Sequence, residues 1–325
     1  MTSSPILTVT LNPALDVTTS VARLEPQRKL RCSEALYHAG GGGVNVSRAI
    51  HELGGSSRAF VALAGGTGRH HVELLTAAGV ECINWPIPGE TRTSLTVMEQ
   101  ETGLHYRFVL PGPKQDRLEG EKILAEIGKL VAAGVRFVVA SGSLPPGIDG
   151  DFYARLASLV RWHGAQLILD TQGAELRRAL PGRPFLIRLN HIEARELAGA
   201  GAEEPIERLA ARFVAEEAAE VVVIAMGERG SVVTTKQMQF TITPPEVQVH
   251  SMVGAGDSYV GALTLALSRG WTLEAANRFG VAAAASAVTR EATQLCERSS
   301  TERLFNETGK ARYIEPNHSA TAGAE

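Results

Sequence analysis

Val46-Ser47-Arg48-Ala49-Ile50-His51-Glu52-Leu53-Gly54-Gly55-Ser56-Ser57-Arg58-Ala59-Phe60-Val61-Ala62 is the stretch whose reading decides the fold class. Val46, Ala49, Ile50 and Leu53 recur at the i, i+3, i+4, i+7 spacing of one helix face, Gly54 and Gly55 stop the helix, and Arg58–Ala62 follows as a short apolar strand. The same alternation continues outward. Strands are expected at Ile6–Thr10, Arg58–Ala62, Phe137–Ser141, Gln166–Asp170, Phe185–Arg188 and Val221–Ala225, several of them apolar throughout, as strands covered on both faces have to be. Amphipathic crossovers between such strands predict an α/β fold, a mainly parallel sheet with helices on both faces. Two stretches break the rhythm. Asp16–His38 and Arg92–Leu110 read as antiparallel strands that leave the main sheet and pair into a small β lid. In the second, Leu95/Val97 and Tyr106/Phe108 alternate, which makes Tyr106 and Phe108 lid core and turns Arg107 the other way. The expected division is a core of residues 1–15, 39–91 and 111–314, a lid of residues 16–38 and 92–110, and a disordered polar tail at 315–325.

Composition excludes several functions. With 325 residues, 44% hydrophobic and 21% charged, the chain has ample material for a core. Its net charge of −3 provides no basic field for a polyanion, so nucleic acid is not expected as a partner. Cys32, Cys82 and Cys296 form no C-x-x-C pair and have no zinc-like spacing to a histidine, which fits a reducing cytoplasm. Met1–Pro13 has neither the basic nor the apolar region of a leader, and no run approaches 18 apolar residues, so secretion and membrane spanning are not expected. Glycine reaches 33 residues and is clustered, which directs attention to loops where backbone must approach something closely.

The chemistry concentrates in three segments. Val253-Gly254-Ala255-Gly256-Asp257-Ser258 precedes the apolar run Tyr259–Leu267. Small residues that expose successive N–H groups at a helix N-terminus make an anion site, and a first-turn aspartate can accept a proton beside the bound anion, as phosphoryl transfer requires. Taken alone, Asp257 is equally a plain first-turn helix acid. Gly40-Gly41-Gly42-Gly43-Val44-Asn45 opens the helix Val46–Leu53; the glycines remove every Cβ, and Asn45 is expected to cap the helix and offer its amide to a polar ligand. Asn12-Pro13-Ala14-Leu15-Asp16 sets a carboxylate just beyond the first strand, where such sheets hold ligands, although a turn aspartate looks the same. The dinucleotide fingerprint would need glycine at Tyr259 and no Walker loop occurs, which disfavours a nicotinamide dehydrogenase.

Asn12–Asp16, Lys29–Cys32, Gly40–Asn45, Tyr106–Phe108, Ser141–Gly147 and Val253–Ser258, taken in order, resemble the PfkB branch of the ribokinase-like sugar kinases, over about residues 6–310. Within that branch the chain is most similar to the second type of 6-phosphofructokinase, because related 1-phosphofructokinases and tagatose-6-phosphate kinases commonly carry lysine where Gly42 stands. The resemblance implies a ribokinase-like three-layer α/β/α fold with a lid, and ATP-dependent phosphorylation of fructose 6-phosphate at C1. It makes Asp257 the base and Gly254, Ala255 and Gly256 the anion hole. Asp16, Gly41, Gly42 and Asn45 would hold sugar hydroxyls, and Lys29, Arg92, Arg107 and Ser141 the sugar and its phosphate. Cations there also follow from charge alone, since a phosphorylated sugar needs them.

On the nucleotide side the resemblance gives Arg188, Asn190, Ala225, Gly227 and Gly230, together with Gly254 and Gly256, to ATP. Asn190 and Glu193 would position Mg²⁺, largely through water; read without the family, Glu193 is a first-turn helix acid. Two departures stand out. Arg188-Leu189 replaces the usual Lys-Pro, keeping a cation but losing a fixed φ, and Arg290–Gln294 lacks the motif beside the monovalent-cation site of some relatives, so potassium dependence is not implied. Tagatose 6-phosphate or fructose 1-phosphate as substrate stays open, as does a non-catalytic sugar-phosphate sensor. A homodimer through the lid is expected, because one small layer cannot hide Leu95, Val97, Tyr106 and Phe108.

Overall fold

Every residue of Ile6–Thr10 is buried, so the first strand has no solvent face and can only lie in the middle of a covered sheet. The computed structural model describes residues 5–199, 204–291 and 294–314; the tail expected at 315–325 lies outside the described residues. In chain order the strands are β1 (Ile6–Thr10), β2 (Ala14–Val21), β3 (Leu36–Gly40), β4 (Arg58–Leu63), β5 (Glu81–Pro86), β6 (Arg92–Glu99), β7 (His105–Val109), β8 (Phe137–Ser141), β9 (Gln166–Asp170), β10 (Leu186–Asn190), β11 (Val221–Ala225), β12 (Ser231–Thr234), β13 (Gln239–Ile242) and β14 (Arg312–Tyr313). The α-helices are α1 (Gly42–Glu52), α2 (Gly65–Ala77), α3 (Arg117–Ala132), α4 (Phe152–Trp162), α5 (Gly173–Ala179), α6 (His191–Ala198), α7 (Ile206–Ala215), α8 (Ala255–Ser268), α9 (Leu273–Val288) and α10 (Arg298–Glu307).

The large sheet runs β14-β13-β12-β11-β10-β9-β8-β1-β4-β5, parallel from β5 to β11 and antiparallel beyond. Alternation along β1 divides the core. Leu7 and Val9 face a cluster with Ile127 of α3, Phe152 and Leu156 of α4 and Phe213 of α7, whereas Ile6 faces Ile50 of α1, Leu263 of α8 and Phe279 of α9. Three layers result, in the ribokinase-like arrangement. No helix among the described residues is long and apolar enough to cross a membrane.

A second sheet of order β3-β2-β6-β7 stands apart from the first. Its outer pairs are antiparallel, but β2 and β6 run parallel, which corrects the all-antiparallel expectation. The cause is in the large sheet. β2 continues from β1 and β6 from β5, two strands that point the same way, so both chains enter the small sheet in the same direction. Residues 22–35 join β2 to β3 without a strand. Register puts Val17, Tyr37, Leu95, Val97, Tyr106 and Phe108 on one face and Asp16, His38, Arg92, Ser94 and Arg107 on the other. Tyr106 and Phe108 are not lid core: they remain 37% and 50% exposed, because β7 is an edge strand with no second layer over it.

Candidate active site

Thr10, Ser141, Asp170 and Asn190 are the last residues of β1, β8, β9 and β10, so the carboxyl edge of the parallel sheet gathers polar groups that largely apolar strands deliver there, and Ala225 ends β11 beside them. The N-termini of α1 and α8 open at the same edge. Asn45 and Asp257, 212 residues apart in sequence, meet there, with Asn45 Nδ2 donating to Asp257 Oδ2 at 2.9 Å. The helix α1 starts at Gly42 rather than Val46, and Gly41 is its N-cap without any side-chain bond. Asn45 therefore caps nothing; it sits one turn in, with its amide free for Asp257. The glycine run is required by close approach. A Cβ on Gly40 would fall 2.1 Å from Asp16 Oδ2, and one on Gly42 2.1 Å from Ser141 Oγ.

Gly254 takes the left-handed conformation, φ 77°, that turns the chain into α8. The N–H groups at this helix start, those of Gly254, Ala255, Gly256 and Asp257, have no acceptor within the helix and are donors open to an anion. Above them lies Arg188, whose Nη1 is 2.9 Å from where a Gly256 Cβ would stand, and which pairs with Asp170 at 3.6 Å. Burial, then the Asp170 charge, push the Asp257 carboxyl up to about 7, against the opposing pull of the Asn45 amide and the Arg188 and Arg48 cations. Donors for an anion, a cation beside them and a carboxyl titrating near neutrality make a set suited to moving a phosphoryl group onto a hydroxyl.

At the lid end, Asp16 projects from β2 against Gly40. Burial raises its pKa, while Arg107, Arg92, Arg48 and the Ser94 hydroxyl act to lower it. Arg107 Nε lies 3.5 Å from Ser94 Oγ. Arg92 donates from Nε and Nη2 to Asn12 O at 3.2 and 2.9 Å and from Nη1 to Leu110 O at 3.4 Å, so it spans the points where the chain leaves the large sheet and returns to it. Lys29 is exposed on the 22–35 connection and takes part in none of these contacts.

Asn190 and Glu193 form a capping box on α6. Asn190 Oδ1 accepts from Ile192 N and Glu193 N at 2.9 Å each, and Glu193 Oε2 accepts from Asn190 N at 2.8 Å. Among the described residues no group of three or more His, Cys, Asp or Glu could hold a metal. The remaining Glu193 oxygen suits a cation that keeps most of its waters, which is how Mg²⁺ binds. Gly227 borders open space, as a ligand-facing backbone would; Gly230 is enclosed, and a Cβ there would meet Ile242 O at 1.8 Å, so hairpin packing explains it.

Two groups escaped the sequence reading. Asp170 ends a strand that was expected, and a carboxylate closing a buried apolar run was its visible signal. Arg48 carried none, because a single cation on a helix is ordinary.

The signature of pfkB family carbohydrate kinases matches residues 9–300. An "ATP-dependent 6-phosphofructokinase isozyme 2" of Mycobacterium tuberculosis is 42% identical over 317 residues, 95% of this chain and 93% of the relative. Crystal structures of phosphofructokinase-2 from Escherichia coli, 34% identical, superpose over 93% of this chain and 98% of theirs, with TM-scores of 0.87 for the complex with potassium and 0.85 for that with fructose-6-phosphate.

Proposed function

The chain belongs to the pfkB family of carbohydrate kinases, and from that premise we propose that it is a 6-phosphofructokinase, transferring the terminal phosphoryl group of ATP to the C1 hydroxyl of fructose 6-phosphate. The observation that carries this reading is Asp257 in the first turn of α8, held by Asn45 at 2.9 Å, with a carboxyl at about 7 beneath free N–H groups and the Arg188 cation. Asp257 takes the C1 proton as the hydroxyl oxygen attacks the γ-phosphorus and the ADP oxygen leaves. Charge growing on the transferring group meets the N–H groups of Gly254, Ala255 and Gly256 and the guanidinium of Arg188. A sensor would have no use for such a base.

Asp16, Gly41, Gly42, Asn45 and Ser141 hold the sugar hydroxyls, and Arg92, Arg107 and Lys29 supply cations for its 6-phosphate. Arg92 has to release a backbone carbonyl to do so, and Lys29 has to be carried inward with its connection. Asn190, Ala225 and Gly227 line the nucleotide side, and Gly230 closes the hairpin behind them. Mg²⁺, held through Glu193 and water, would neutralise the ATP phosphates. Residues 16–38 and 92–110 act as the substrate cover and, through the exposed face of Tyr37, Tyr106 and Phe108, as the contact of a homodimer. The cytoplasm suits these substrates and the three free thiols.

A coupled ADP-release assay with ATP and Mg²⁺ over fructose 6-phosphate, tagatose 6-phosphate, fructose 1-phosphate and fructose tests the reading. Fructose 6-phosphate is expected to exceed fructose in kcat/KM by several orders of magnitude, because contacts to the remote phosphate orient C1. Preference for an unphosphorylated sugar or a nucleoside would refute it.

A further inference from the structure

We propose that Arg48 is a positioning residue for the catalytic base: it fixes the direction of the Asn45 amide, so that Asp257 Oδ2 is held by a donor and Oδ1 is left to take the substrate's proton. The proposal rests on the kinase reading above. Asn45 and Arg48 stand three residues apart on α1 and share a face. Arg48 Nη1 lies 3.2 Å from Asn45 Oδ1 and 3.5 Å from the backbone oxygen of Ala39, next to the glycine run. A guanidinium donates only, so the amide oxygen alone can face it. The amide nitrogen is thereby turned to Asp257 Oδ2 at 2.9 Å. Flipped, the amide would set its oxygen against a carboxylate and its N–H groups against a cation, and both contacts would be lost.

The surroundings give Arg48 a reason to be charged. It is half-buried, and among the described residues it makes no ion pair within 4.0 Å. Its charge is felt by Asp16 on β2 and Asp257 on α8, the two carboxylates at either end of the sugar site, and by Glu52 on its own helix. His38 of β3 and His71 of α2 are the other titratable groups that face it, and Asp170 of β9 and Arg188 of β10 face Asp257. A residue that only filled this space could be apolar. An unpaired guanidinium here is costly to bury, and its effect falls on the carboxyl that has to be ionised for turnover.

Steady-state kinetics of Arg48→Met and Arg48→Lys, with fructose 6-phosphate varied at saturating ATP from about pH 5.5 to 9, test this. Arg48→Met is expected to lower kcat by roughly 10–100-fold with KM for the sugar phosphate little changed, and to move the acidic limb of the kcat profile to higher pH by roughly 0.5–1 unit, because loss of a cation favours protonated Asp257. Arg48→Lys restores the limb through its charge but only part of kcat, since its nitrogen is carried one atom closer to the backbone than Nη1, the single donor that reaches both Ala39 O and Asn45 Oδ1. A KM increase at unchanged kcat, or a limb that stays in place in the methionine variant, overturns the proposal. Should Arg48→Met fail to fold, Arg48→Gln removes the same charge and is read in the same way. Wild-type enzyme run in parallel separates the two readings: an inactive wild type overturns the kinase assignment and this inference together, whereas an active wild type with unmoved variants overturns the inference alone.

Discussion

At the residue scale, Asp257, the proposed base, is a liability to the fold. Asp257 is pushed up to about 7 from an ordinary 3.8, so between those values the folded chain holds a proton that the unfolded chain has released. Stability contributed by this group therefore falls as pH rises through that window and is fully lost above it. Asp257→Asn removes the ionisable group, and its Tm is expected to exceed that of wild type at pH 8 and to converge with it towards pH 4. Turnover should meanwhile drop by roughly 10²–10⁴ with sugar-phosphate KM nearly intact. Thermal melts and kinetics on the same preparations check both; near-wild-type turnover would sink the base assignment. Much of this site was legible because Asp257, Asn45 and Gly40–Gly43 sit in short runs whose composition has a local physical meaning. Arg48 was not, because its meaning depends on α8 arriving from more than 200 residues away to place a carboxylate beyond Asn45. Lys29 shows the reverse: it lies in a recognisable run, yet its exposed side chain makes none of the contacts given above for the site.

At the element scale, the start of α1 is where backbone and site are least separable. Gly40→Ala would put a Cβ 2.1 Å from Asp16 Oδ2, the free end of a side chain, so the carboxylate has to swing away. KM for the sugar phosphate is expected to rise by roughly 10-fold or more, the order of a lost charged contact, with the melting temperature little altered. Gly42→Ala differs, because its Cβ would also meet Ser141 Cβ at 2.9 Å and backbone carbon at 3.0 Å, which cannot rotate aside. That variant should lose about 1–3 kcal/mol of stability as well as affinity, read by denaturant melts. Equal effects of the two substitutions on stability would contradict this picture. The strands β1, β8, β9 and β11 could be read from sequence to the residue, since burial on both faces leaves a short, mostly apolar run. Strands β12, β13 and β14 could not, being two to four residues long and antiparallel at the sheet's end. The direction of β6 against β2 was equally hidden, because it is set by how strands leave the large sheet.

At the scale of the whole molecule, the small sheet has two faces of different character. Asp16, Arg92 and Arg107 share one face, and the opposite face leaves Tyr37 at 46% and Phe108 at 50% exposure. Phe108→Glu places a charge in that apolar face, and sedimentation at assay concentration is expected to show monomers with reduced activity where wild type sediments as a dimer. A fully active wild-type monomer would remove the dimer from the mechanism. The position of β1 between β4 and β8 has its own consequence, and it concerns synthesis rather than catalysis. Its second neighbour begins at Phe137, so about 130 residues have to be translated before both edges of β1 are covered. At ribosomal rates that is roughly 6–26 s during which an apolar strand keeps an open edge. The nascent chain is accordingly most exposed to misassociation early, and a truncated chain ending before Phe137 should aggregate where one that extends past Ser141 begins to hold together.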